Sequence, residues 1–149
     1  MMNRDRFSRS RSSMGSSSTT IGLDERLERT LLYPISAVAA VFWPFGWLVG
    51  LIVFFVEKNR NVRWHALQSG VIFGVLSLLY AIVGLIHLIL GHLPLIGFFI
   101  GSALGLVGLI LFWIIILLAV WLTLMAWYRP NYRLPFVGRL IENMFSRWV

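Results

Sequence analysis

The chain has no cysteine in its 149 residues. Disulfides and thiolate metal sites are therefore excluded, and thiol usage says nothing about compartment. Charge is scarce as well, because only 13% of residues are Asp, Glu, Lys or Arg and just six of them are acidic. None of the four types occurs in the 26 residues of Leu31–Val56 or in the 62 residues of Ala66–Trp127. Without a charged side chain inside its apolar runs the chain lacks the usual mark of an ion or proton pathway, which disfavours a coupled transporter and a charge-lined pore. The first 30 residues also lack an apolar h-region, so no cleavable signal peptide is expected.

Apolar length is what the chain has in abundance. Hydrophobic residues make up 58% of it, and the mean hydropathy is +0.81. At about 1.5 Å of rise per residue, roughly 20 residues cross a hydrocarbon core about 30 Å thick. The first charge-free run is one crossing with some excess; the second would reach about 93 Å as a single helix and must fold back at least once. These runs predict an all-α integral membrane protein: a bundle of three transmembrane helices plus a C-terminal amphipathic helix. The net charge of +7 then suits basic residues gathered at a cytoplasmic membrane face. The expected partner is the lipid bilayer and not nucleic acid.

Residues 1–21 form a Ser- and Arg-rich tail, too polar to bury much surface, and disorder is expected there. Residues 22–149 form the membrane domain. Gly22–Thr30 reads as a short interfacial lead-in. The spans are expected at about 31–56, 62–90 and 95–127. The first contains F-W-P-F-G-W, and Pro44 near its middle predicts a kink, with a re-entrant hairpin as the alternative. The second and third spans part at G-H-L-P, Gly91–Pro94, a helix-stop glycine followed by a helix-start proline. W-Y-R-P, Trp127–Pro130, closes the third. Residues 136–149 place Phe136, Val137, Leu140, Ile141, Met144, Phe145 and Trp148 on one half of a helical wheel. That pattern predicts an amphipathic helix at the membrane surface, lying in the headgroups or packed as a cap on the spans, with Arg139, Arg147 and Trp148 interfacial. Three spans put the polar stretch between the first two, V-E-K-N-R-N-V-R-W-H-A-L-Q-S, on one side with the C-terminal segment. Lys58, Arg60, Arg63, Arg129, Arg133, Arg139 and Arg147 make that side the cytoplasmic one of a multi-pass cell-membrane protein. A re-entrant first run would instead collect every basic segment on a single side.

Chemistry-bearing residues concentrate in that same stretch. Glu57, His65 and Ser69 invite comparison with an acid–base–nucleophile set, but His65 and Ser69 project alike from one helix and no second wall is evident. The stretch reads instead as an anchoring hinge. Glu57 ends the first span, Asn61 caps the second, Arg60 and Arg63 reach phosphates, and Trp64 sits at the interface. His65 and Gln68 face inward, with Gln68 as hydrogen-bonding glue between helices. His87 and His92 lie about 140° apart on a helix and have no carboxylate or thiol nearby, so neither a metal nor a cofactor is expected. Small residues recur at a spacing of four: Gly46 and Gly50; Gly70 and Gly74; Gly97, Gly101 and Gly105, with Gly108 following. Such stripes let helix backbones approach closely, within the bundle or between copies.

Three stretches together, T-I-G-L-D-E-R-L, E-K-N-R-N-V-R-W-H-A-L-Q-S and Y-R-L-P-F-V-G-R, resemble a family of small prokaryotic membrane proteins of unassigned function. That family is often grouped with the chloroplast inner-envelope protein-import component. The resemblance covers about Gly22 to Ile141, and Trp64, His65, Ala66 and Gln68 match its most specific pattern. It implies a three- or four-helix membrane fold and a distant link to polypeptide translocation. Together with the residues it leads to an expected non-enzymatic protein acting through helix packing, an accessory or assembly subunit beside other membrane-protein subunits. The alternative is a translocation- or channel-type component that forms a homo-oligomer.

Overall fold

A computed structural model describes residues 19–42, 44–94, 96–129 and 131–145. The tail up to residue 18, Trp43, Leu95, Pro130, and the expected interfacial residues Arg147 and Trp148 lie outside the described residues. Among the described residues five helices follow one another: α1 (Glu25–Phe42), α2 (Gly46–Val56), α3 (Arg60–Leu90), α4 (Ile96–Tyr128) and α5 (Pro135–Phe145). Glu25 and Glu28 stand in the first turn of α1, where carboxylates complement the positive helix end. The lead-in is therefore continuous with the first apolar run and not a separate element. Asn59 caps α3, its side chain accepting from the backbone N–H groups of Asn61 and Val62. The cap thus falls two residues before the expected Asn61.

The first apolar run is not one kinked crossing. It breaks beyond Phe42, and α2 turns back along α1. Just ahead of α1, Thr20 donates its backbone N–H to Glu57, which follows α2, at 2.9 Å. Glu25 accepts from Asn59 and Asn61 at 3.1 and 2.8 Å. The start of α1 and the end of α2 thus lie together, and the two helices form a hairpin. Its apolar arms, 12 residues from Leu31 to Phe42 and 11 in α2, reach only about 18 and 16 Å, short of the ~30 Å core. Among the described residues only α3 and α4 are long and apolar enough to cross a membrane, where three crossings were expected. Pro34 lies inside α1 without ending it. At Pro44 the missing N–H coincides with a tertiary reward: Gly46 seats against the Phe73 carbonyl and the Ala40 side chain.

The hairpin reorders the ends. Arg29 Nε donates to the Ala126 carbonyl at 2.9 Å, tying the start of α1 to the end of α4. Ile141 of α5 packs with Val62 and Trp64. The lead-in, the polar stretch and the C-terminal segment therefore gather at one end, called the base, and Gly91–Pro94 turns the chain at the other. One core cluster joins α1, α3 and α4 through Tyr33, Ala37, Ala40, Phe73, Ile115 and Ala119; a second joins the base elements around Val62, Trp64 and Ile141. The outward faces are apolar too, with Phe55, Phe98 and Leu117 exposed. Helices apolar all round are what lipid tails solvate.

Candidate functional site

His65, Gln68 and Ser69 of α3 point into the bundle. Tyr33 of α1 and His65 of α3 are joined by a 2.8 Å hydrogen bond between the hydroxyl and Nδ1, with their rings edge to face. Gln68 Nε2 donates to the same hydroxyl at 3.2 Å. With Gln68 donating to it, the Tyr33 hydroxyl proton is left for His65 Nδ1, so one chain of bonds runs Gln68 to Tyr33 to His65. All three side chains are fully buried. Gln68 Oε1 and the hydroxyl of Ser36, one turn after Tyr33, are buried without a partner. Burial without a bond costs about 1–3 kcal/mol per group, so this polar core is held at a price elsewhere in the fold.

The Glu57, His65 and Ser69 set is not assembled. Ser69 Oγ donates to the Ala66 carbonyl of its own helix at 3.0 Å. Glu57 accepts from the backbone N–H groups of Thr20, Lys58 and Asn59 and from the Thr20 hydroxyl, all within 3.2 Å. Far from a solvated span end, Glu57 is buried and pins the stretch ahead of α1 to the α2–α3 junction. Thr20 is thereby bonded to Glu57, and Thr19 to the Leu23 carbonyl. Trp64 is buried, not interfacial, with Arg133 over its ring at 4.3 Å. Arg63, expected to reach phosphates, lies over Phe54 at 4.5 Å; Arg60 is exposed.

Beside Glu57 lies Glu28, a residue the sequence does not single out. It is 4% exposed, and neither carboxylate oxygen accepts a hydrogen bond of good geometry. Burial raises its pKa, the Glu57 charge raises it further, and the Thr19 hydroxyl opposes the shift. Burial would raise Glu57 too, but the donors from Asn59, Thr20 and Lys58 outweigh it and lower its pKa. Glu28 therefore contributes stability that is fully present below the ordinary carboxylate value and lost as pH rises through its raised value. Glu57 contributes stability present above the ordinary value and lost as pH falls through its lowered one. Melting temperature followed between about pH 4 and 8 should decline on the upper flank in the parent and stay flatter in Glu28→Gln. Parallel profiles for the two proteins would refute the assignment to Glu28.

The glycine stripes divide by use. Gly46, Gly50, Gly70 and Gly74 line the α2–α3 contact: a Cβ added at Gly50 would come 2.7 Å from the Gly70 backbone, and one at Gly74 would come 2.9 Å from Trp47 Cβ. On α4, Gly97 and Gly101 face Gly91, Gly105 only grazes His87, and Gly108 meets open space. The helix α5 packs its Val137 and Ile141 side onto the base, leaving Phe136 and Leu140 exposed beside Arg139. It is a cap with an apolar outer edge. His92, just beyond α3, places Nδ1 2.7 Å from the Leu88 carbonyl of that helix.

Sequence reasoning finds His65 and Gln68 but misses Tyr33, Ser36, Glu28 and Thr20. Tyr33 and Ser36 leave a signal, two hydroxyls three apart in an otherwise apolar run. Glu28 and Thr20 leave none, because their partner is distant in sequence.

The sequence pattern of the magnetosome magnetite crystal formation protein family matches residues 24–141. The UPF0132 membrane protein MJ1443 of Methanocaldococcus jannaschii is 29% identical over 126 residues, covering 84% of this chain and 92% of its own length. A second protein of that organism, the UPF0132 membrane protein MJ1527, is 28% identical over 130 residues, covering 87% and 76%. No solved structure matches.

Proposed function

The chain belongs to the magnetosome magnetite crystal formation protein family, and from that premise we propose that it is a non-enzymatic membrane subunit working through helix contacts. Its place is an accessory or assembly component of a larger membrane complex. The observation that carries this reading is how the polar side chains are used. Gln68, Tyr33 and His65 join α1 to α3, Glu57 joins the lead-in to the α2–α3 junction, and Arg29 joins α1 to α4. Each binds another part of the same fold, while the outward faces are apolar. The family description speaks of magnetite crystal formation. Among the described acidic residues, Asp24, Glu25, Glu28, Glu57 and Glu142 all lie at the base and none in Gly91–Pro94. This supports organising the membrane around such a process over carboxylate contact with a mineral at the far end.

The same geometry favours a cytoplasmic base in a multi-pass protein. Arg26, Arg29, Lys58, Arg60, Arg63, Arg129, Arg133 and Arg139 lie there, and Gly91–Pro94 carries no charged residue. The cysteine-free chain allows a direct check. Single cysteines at Gly22, Asn61 and Glu142 are expected to label from one face and one at Leu93 from the other. Labelling of Gly22 and Leu93 from the same face would overturn the hairpin topology.

A translocation- or channel-type assembly is the second reading. It is motivated by the resemblance around Trp64–Gln68 and by a cleft of about 420 Å³ between α3 and α4, bordered by Tyr80, Gly84, His87, Gly105 and Gly108. Gentle extraction followed by native mass analysis separates the two. Other membrane proteins in fixed ratio support the accessory subunit. A homo-oligomer that conducts in planar bilayers supports the second reading, and a lone monomer with neither sinks both.

A further inference from the structure

A groove of about 540 Å³ runs between α1 and α4, walled by Pro34, Ala37 and Val41 on one side and by Ile115, Ala119 and Val120 on the other. Its one polar lining residue, Thr123, turns its hydroxyl to the Ala119 carbonyl at 2.6 Å, so the groove presents nothing that seeks water. On α1, Arg26 and Thr30 precede Pro34 at intervals of four; on α4, Trp127 follows Val120 and Thr123 on the same face. The groove therefore ends at the base on Arg26 and Trp127, and these two touch, with the guanidinium 3.9 Å from the ring centroid. Arg29, the neighbouring cation, is paired with Glu25 at 3.5 Å. Arg26 is exposed and makes no ion pair among the described residues. The indole holds its charge at the mouth of an apolar slot.

The dimensions choose the occupant. Pro34 to Phe42 spans about 12 Å of helix, within the ~15 Å depth of one leaflet. An alkyl chain lying along this slot meets only apolar neighbours apart from the self-bonded Thr123 hydroxyl. A free anion has no use for the apolar wall, and in a zwitterionic lipid the choline cation opposes the phosphate's attraction to Arg26. We propose that the α1–α4 groove binds one anionic phospholipid of the base-side leaflet, an acyl chain along the slot and the phosphate on Arg26. This goes beyond the subunit reading and does not depend on which proteins accompany the chain.

The test uses the full-length protein in mild detergent carrying equal amounts of phosphatidylglycerol and phosphatidylcholine, read by native mass analysis. One retained phosphatidylglycerol per chain is expected, preferred about tenfold over phosphatidylcholine, the scale of one charge-assisted contact. Arg26→Gln should abolish that preference. Val120→Trp, which fills the slot from an exposed position, should cut retention of both lipids. Arg139→Gln removes an exposed basic residue elsewhere at the base and should change neither. If Arg139→Gln lowers retention as much as Arg26→Gln, or Val120→Trp leaves it intact, diffuse base charge holds the lipid and the proposal falls. If Arg26→Gln fails to fold, the Val120→Trp and Arg139→Gln arms still decide.

Discussion

Gly50→Ala is expected to destabilise the protein more than an alanine at any of the α4 glycines. An added Cβ at Gly50 would strike the Ala66 carbonyl oxygen and come 2.7 Å from both Cα and N of Gly70. All of these are backbone atoms of a helix, which cannot rotate out of the way as a side chain can. The helix α2 would have to lift from α3, and its seat at Gly46 on the Phe73 carbonyl would open with it. Overpacking of this kind costs about 1–3 kcal/mol and sometimes more. The gain in helix propensity from Gly to Ala, about 1 kcal/mol, offsets only part of it. The facing position behaves differently. A Cβ at Gly70 would lie 3.4 Å from the Trp47 carbonyl oxygen and 3.5 Å from Gly50 Cα, which small shifts accommodate. Gly108→Ala meets open space and should be neutral or stabilising by up to about 1 kcal/mol in helix propensity. Melting temperatures in one detergent should therefore fall steeply for Gly50→Ala, little for Gly70→Ala and not at all for Gly108→Ala. Equal melting of the first two would show that α2 does not cross α3 at this point.

The contrast between Gly50 and Gly108 also shows what a sequence can tell. Both belong to stripes of small residues and look alike in the chain, but one lies under a crossing helix and the other under nothing. Spacing announces that close approach is available; only tertiary contact says where it is used. The long helices were legible for a stronger reason. A charge-free run bounded by Arg63 and by Gly91–Pro94, and another ending at Trp127, leave little freedom over where α3 and α4 begin and end. Leu31–Val56 was ambiguous because hydropathy alone cannot distinguish one kinked crossing from two arms that enter and leave on the same side. The deciding interactions are Thr20 with Glu57 and Glu25 with Asn59 and Asn61, which bridge 34 to 37 positions. Nothing local foretells them. His65 and Gln68 were legible because polar side chains in an apolar helix need partners, and their partner Tyr33 was hidden by the same break that hid the hairpin.

Tyr33→Phe is expected to cost far more than Gln68→Leu, although both remove a hydrogen-bonding group from the same buried chain. The tyrosine hydroxyl is the shared link. Without it His65 Nδ1 loses its 2.8 Å contact and Gln68 Nε2 its 3.2 Å contact. Gln68 Oε1 already lacks a partner, so the whole amide would stand buried and unbonded. The amide so orphaned costs about 1–3 kcal/mol, and the lost ring hydroxyl frees no compensating space. Gln68→Leu takes the other course. It removes the unpartnered oxygen together with the donor, keeps similar volume, and leaves the Tyr33–His65 bond intact, so its effect should be small and of either sign. Combining the two should recover part of the loss caused by Tyr33→Phe alone, because the amide stranded by the first change is gone. A double-mutant cycle of melting temperatures reads this directly: positive coupling between the substitutions is the signature of one shared hydroxyl. Strict additivity, or a Gln68→Leu as damaging as Tyr33→Phe, would mean that the Gln68 amide holds α3 through its carbonyl and that Tyr33 is not the link between α1 and α3.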